Sequence, residues 1–346
     1  MKIKMTLIST LVVLLQAACS QEASEPNTLT VMTHDSFQIS EEVVALFEEE
    51  NNVEVQFLQS GDAGTMLNQA ILSREAPLAD VLYGVDNTFL SRALAEDIFL
   101  AYDSPRLEAV ADEFELDGQH RALPIDYGDV CLNYEIAYFE QAGIDPPTDL
   151  ESLTQPQYES LLVVENPATS SPGLAFLLAT IGHFGSDGYL DYWASLRAND
   201  VLVVNDWETA YYGEFSHSGG TRPIVVSYGS SPPAEVYFAE VELSEPPTGV
   251  VTANTSCFRQ IEFAGVLRGT QHEDLAQAWI DFMLSVEFQE DMPLNMFVFP
   301  VIPEAGLPEV FRLHMVIPDQ TAQVSPGDIA ENRDAWIDAW TVTVLR

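Results

Sequence analysis

Lysine is almost missing from this chain. Its two lysines are Lys2 and Lys4, so every basic side chain beyond residue 4 is an arginine. Thirteen Lys and Arg stand against 54 Asp and Glu, a formal net charge of -41. Such a chain has no basic patch with which to neutralise phosphates, which excludes nucleic acid as a partner. It suits cationic ligands, or a saline medium that screens its self-repulsion. Cysteine is scarce too, with Cys19, Cys131 and Cys257 as the full set. No C-x-x-C pair, H-E-x-x-H helix or EF-hand loop occurs, so the usual zinc and calcium signatures are absent. Ser230 and Ser231 sit near glycine in "SYGSSPP" but not in a G-x-S-x-G elbow, and none of the six histidines forms a catalytic motif with them. A hydrolase reading has little to stand on. No internal repeat or low-complexity stretch interrupts the chain.

The two lysines belong to "MKIKMTLISTLVVLLQAACS", a basic start, an apolar stretch from Met5 to Leu15, and small residues before Cys19. That pattern predicts a signal peptide over 1–18, too short to span a bilayer, and hence export. Ala17-Ala18-Cys19 is similar to a lipoprotein cleavage box, which predicts acylation of Cys19 and a polar tether over 19–28; plain cleavage after Ala18 is the alternative. With Cys19 set aside, Cys131 and Cys257 form an even pair in an oxidising compartment. A disulfide between them is expected, with two buried free thiols as the alternative.

Beyond the tether, apolar periodicity alternates between two and 3.6 residues. "TLTVMT", "VEVQFLQ" and "ADVLYGVD" read as strands; "SEEVVALFEEENN" and "AGTMLNQAILSRE" read as the helices between them. This βαβαβ unit predicts a parallel sheet with ligands at the carboxyl ends of its strands, where His34-Asp35-Ser36 and Ser60-Gly61-Asp62 lie. Two long β-rich runs follow, "RALPIDYGDVCLNYEIAYF" and "VTANTSCFRQIEFAGVLR", bracketing a second α/β pattern. The plan is two lobes with a cleft between them, lobe 1 from 29–129 and 258–346 and lobe 2 from 130–257, joined by two crossover strands. Each run holds one cysteine of the pair.

Aromatics gather at loop ends, Trp207 in "NDWETAYY", Tyr228 in "SYGSSPP", and Phe297 and Phe299 in "NMFVFPV". In a cleft they would stack on a flat, preferably cationic ring. "NPATSSPGLAFLL" opens a helix whose first residues, Thr169, Ser170 and Ser171, suit an N-cap beside Pro172. Free N–H groups at that end could face an electron-rich ligand group. Tyr211-Tyr212 with His34 would be the ligand set of an iron carrier.

Taken in order, "THDSF", "GDAGTMLNQAIL", "PIDYGDVCLNY", "NPATSSPGLAFLLATIG", "DWETAYYGEF", "VVSYGSSPP", "VFPV" and "NRDAWIDAW" resemble the thiamine-binding periplasmic proteins of ABC importers, from about Leu29 to the C-terminus. The resemblance implies an α/β, two-lobed periplasmic-binding-protein fold of type II. It implies that Asp62 is the counter-charge for the thiazolium and that Ser170 and Ser171 hold a hydroxyl or phosphate. Trp207 and Tyr228 would border the rings, Phe297 standing where the family has tryptophan. His34 replaces a family tyrosine and Ala234 another ring-stacking one. The implied partners are the permease and ATPase subunits of an importer, with the membrane reached through Cys19. No cofactor, metal or catalytic residue is implied. A receptor for ferric iron or another small solute, and an exported hydrolase, are the competing readings.

Overall fold

A computed structural model describes residues 27–346. The expected signal peptide, tether and Cys19 lie outside them. A strand over Asn27–Thr33 (β1) is followed by a helix over Glu41–Asn51 (α1), a strand over Val53–Gln59 (β2), a helix over Ala63–Leu72 (α2), a strand over Val81–Asp86 (β3) and a short helix over Leu90–Ala95 (α3). α1 stops where its pattern ends, because Asn52 takes a left-handed conformation (φ 47°) and returns its N–H to Glu48 O. One face of α1 buries Phe47 edge-on against Trp279 at 4.9 Å.

The first crossover strand is Leu123–Glu135 (β4), ending directly in a helix over Ile136–Ala142 (α4). "IAYF" is therefore helical rather than β. The strand ends where Phe139 can be buried by a helical turn, and Gly143 (φ 65°) closes that turn. The second α/β segment comprises Leu162–Glu165 (β5), Ser171–Phe184 (α5), Tyr189–Ala198 (α6), Leu202–Val204 (β6), Ile224–Tyr228 (β7), Ser231–Phe238 (α7) and Thr248–Val251 (β8). A turn at Asn254 and Thr255, both at positive φ, splits the second β-rich run, so the crossover strand is the shorter Phe258–Val266 (β9). The chain closes with Glu273–Met283 (α8), Val286–Met296 (α9), Phe299–Pro300 (β10), Glu309–His314 (α10) and Pro326–Leu345 (α11).

The main sheet runs β2-β1-β3-β9-β4-β7-β5-β6. β1 pairs in parallel with β2 and β3, and β5 in parallel with β6 and β7. β4 and β9 are antiparallel to each other, from Leu123↔Ala264 to Val130↔Phe258. β4 then runs on past that contact to pair with β7 and β8. One long strand thus belongs to both halves of the sheet, which makes a two-lobed molecule with crossover strands.

Cys131 on β4 and Cys257 just before β9 are disulfide-bonded, with Cα atoms 4.4 Å apart. The C-terminal segment touches both halves. In α11, Trp340 meets Trp193 of α6 edge-on at 5.4 Å, and Arg333 lies over the Phe89 ring beside α3. No helix among the described residues is long and apolar enough to cross a membrane.

Candidate functional site

Between the two halves lies a cleft of about 290 Å³. Six of the eight residues expected to bind the ligand line it: His34, Asp62, Ser171, Trp207, Tyr228 and Phe297. Their convergence follows from the strand ends. β2 ends at a turn where Gly61 (φ 81°) reverses the chain and Asp62 becomes the N-cap of α2, accepting from Ala63 N at 2.7 Å. Asp35 is exposed at the edge of this turn. Its Oδ1 accepts from Gly61 N at 2.7 Å, so it holds the loop that presents Asp62.

The far side approaches to bonding distance. Asp62 Oδ2 accepts from Trp207 N at 3.2 Å, and Gly64 N donates to Thr169 O at 3.0 Å. A Cβ at residue 64 would stand 2.8 Å from Thr169 O and 3.0 Å from Ala168 O, so only glycine lets α2 come this close. Burial pushes the Asp62 carboxyl up to about 6; the Ser170 hydroxyl and the N–H groups of Ala63 and Trp207 work against that rise.

The hydroxyls before α5 do something different from capping. Ser170 occupies the N-cap position, fully buried, but makes no side-chain bond to the helix. Its hydroxyl lies near Asp62 yet has no hydrogen-bond partner, and Thr169 Oγ1 donates to Asn205 O at 2.6 Å. Ser171, not Ser170, reaches the cleft wall.

The aromatic wall is built in layers. Trp207 stacks on Tyr211 (centroids 4.9 Å, 17° between planes) and donates from Nε1 to Ser227 Oγ at 3.1 Å. Phe297, at the end of α9, stands in a left-handed conformation (φ 58°) that a bulky residue seldom adopts. Its ring meets Trp207 edge-on at 6.3 Å. Tyr228 closes the wall; Gly128 makes room for it, since a Cβ there would lie 2.9 Å from its ring. Ala234 is fully buried and lines a neighbouring cavity with Tyr211, Tyr212 and Phe297 rather than the cleft, and Tyr237 is exposed and does not line the cleft. Tyr211 and Tyr212 face different ways, the first buried against Glu235 and the second half exposed at the cleft mouth. Among the described residues no three His, Cys, Asp or Glu are grouped to hold a metal ion.

Sequence reasoning missed the floor. Gln260 and Glu262, on β9, and Glu208, at the mouth, also line the cleft. Behind Glu262 lies Asp126, its register partner on β4, with the Tyr83 hydroxyl donating to Asp126 Oδ2 at 2.6 Å and to Glu262 Oε2 at 3.2 Å. Burial, with the neighbouring carboxylates, drives Glu262 well above the ordinary carboxylate range and Asp126 up to about 7. His34, packed against Gly84, is pushed down to about 4 by burial and is a neutral imidazole. In the sequence the signal was faint: a glutamine and a glutamate two residues apart in a strand whose other residues, Arg259 aside, are apolar.

These shifts set a pH dependence. Asp62, Asp126 and Glu235, the last pushed up to about 7, bind protons more tightly folded than unfolded. Their contribution to stability is therefore complete near pH 4 and is lost as pH rises through 6 to 7. His34, pushed down to about 4, and His217, also pushed down by burial, act oppositely below about 6.5 and are fewer than the raised carboxyls. The ligand-free protein is expected to melt at a higher temperature at pH 5 than at pH 8, by several degrees in a calorimetric scan. A melting temperature that rises over that range would contradict the assignment.

The fold and cleft define a two-lobed solute receptor whose cleft has an aromatic wall and several carboxyl groups. The chain belongs to the bacterial extracellular solute-binding protein family, whose model matches residues 76–321. It is 28% identical over 337 residues to the thiamine-binding periplasmic protein of Escherichia coli strain K12, covering 95% of this chain and 97% of that one. Its structure is similar to that of a periplasmic thiamin binding protein, with a TM-score of 0.81 and 26% identity, covering 92% of this chain and 96% of that chain. A ferric binding protein from Campylobacter jejuni shares the fold at a TM-score of 0.72 and 16% identity, covering 91% of this chain and 99% of that chain.

Proposed function

We propose that this protein captures thiamine, or its mono- or diphosphate, in the interlobe cleft and delivers it to the permease and ATPase of an ABC importer. The observation that carries the reading is Asp62, a half-buried carboxylate that lines the cleft with Trp207 and accepts from its backbone N–H across it. A thiazolium placed there meets a charge in a desolvated site and aromatic faces worth about 2 kcal/mol each when dry. Asp62 is the counter-charge, Trp207, Tyr228 and Phe297 border the rings, and Ser171 with Ser170 behind it takes the hydroxyl or phosphate end. His34 lines the floor and Asp35 holds the Asp62 turn.

Closure of lobe 1 (29–129 and 258–346) on lobe 2 (130–257), with α11 laid across both, forms the Asp62–Trp207 and Gly64–Thr169 bonds and marks the loaded state for the importer. No covalent step is required. The thiamine-binding relatives are periplasmic by name, which supports export, and Cys19 would anchor the chain to the membrane by acylation. The net charge of -41 draws organic cations toward the cleft at low salt.

The test is mass spectrometry of small molecules released by denaturing the freshly purified protein. Thiamine or a phosphate ester is the expected species. Recovery of a different solute, or of ferric iron with a tyrosinate absorption band, would contradict the reading.

A further inference from the structure

The cleft floor carries acceptors that nothing in the protein satisfies. Gln260 is 1% exposed, and its Nε2 donates to the Tyr228 hydroxyl at 3.1 Å. That bond fixes the amide and leaves Gln260 Oε1 buried without a partner. Glu262 lies two residues along β9, so both side chains leave the strand on the same face, and both line the cleft. Glu262 Oε2 is engaged by Tyr83, whereas Oε1 has only the neutral His34 ring nearby, Nε2 at 3.6 Å, beyond hydrogen-bond distance. A buried acceptor left unmade is costly, and Gln260 Oε1 beside a second free acceptor that opens on the cleft, Glu262 Oε1, describes the donor they await.

We propose that Gln260 Oε1 and Glu262 Oε1 form an amino-recognising floor that accepts the two hydrogens of an exocyclic amino group on the ligand's heterocycle. Within the thiamine reading, on which this rests, the aminopyrimidine lies on the floor while the thiazolium faces Asp62. Asp126 and Tyr83 are positioning residues. The Glu262 carboxyl, held protonated by its buried acidic neighbours, donates to Asp126. Its remaining oxygen is then a fixed acceptor. An analogue whose amino group is replaced by a carbonyl oxygen would set oxygen against oxygen at both positions.

The experiment is calorimetric titration of the whole protein, stripped of bound solute, with thiamine and with that carbonyl analogue. The wild-type protein is expected to prefer thiamine by about tenfold to a hundredfold. Gln260→Met removes one acceptor and should narrow the preference to within about threefold. Glu262→Gln keeps an acceptor toward the cleft and a donor toward Asp126, and should retain the preference. Asp62→Asn should weaken both ligands equally. Equal wild-type affinities, or a preference unchanged by Gln260→Met in a variant that melts normally, would overturn the inference while leaving thiamine capture intact. Failure of thiamine to bind at all would overturn the functional reading and this floor with it.

Discussion

Replacing Cys131 and Cys257 together with alanine is expected to lower the unfolding free energy by about 5 kcal/mol, the chain-entropy value for a loop of this length. The bond closes 126 residues, among them β5, β6, β7 and the helices that pack on them. Both cysteines are fully buried, and Cys131 lies on the strand shared by the two halves of the sheet. Without the bond, the unfolded chain regains the freedom of that whole segment, while the folded strands keep their register. Urea unfolding of the ligand-free double variant checks the expectation. A loss below about 1 kcal/mol would mean that the unfolded ensemble already keeps these strands together.

Asp62→Asn is expected to weaken thiamine binding by about a hundredfold, or 2–3 kcal/mol, the usual cost of removing one partner of a buried charge pair. Stability should not fall with it. The Asp62 carboxyl is pushed up to about 6 because its ionised form is poorly solvated, so a neutral amide relieves a burden on the empty cleft. The same substitution should flatten the pH profile: wild-type affinity for the cation should climb from pH 5 to 7 as Asp62 ionises, and the variant's should climb less. Affinity within about threefold of wild type would remove Asp62 as the counter-charge.

Much of this was legible in the sequence, for local reasons. The opening βαβαβ unit has strong periodicity and clear stops, such as Asn52, so β1, α1, β2, α2 and β3 fall where the pattern puts them. The cleft residues at strand ends, His34 and Asp62, follow from the rule that parallel sheets bind at their carboxyl edge. Trp207, Tyr228 and Phe297 converge as expected of loop-end aromatics. The disulfide, expected of an even pair of cysteines in an oxidising compartment, is formed.

What was hidden depends on tertiary contacts. Ser170 looks like a cap, yet its hydroxyl is buried near Asp62, 108 residues away in sequence, and bonds neither the helix nor the carboxylate. "IAYF" continues a β-rich run, and only the packing of Phe139 makes it helical. Gln260 and Glu262 read as stray polar residues until β4 places Asp126 behind them and Gly128 admits Tyr228 beside them. The reach of α11 over α6 rests on Trp340 meeting Trp193, which no local pattern announces.

The most direct test of cationic-ring capture is calorimetric titration of the stripped protein with thiamine at neutral pH and low salt. Single-site binding at about micromolar affinity or tighter is the predicted result. Absence of binding at millimolar thiamine, in protein shown by its melting transition to be folded, would contradict it.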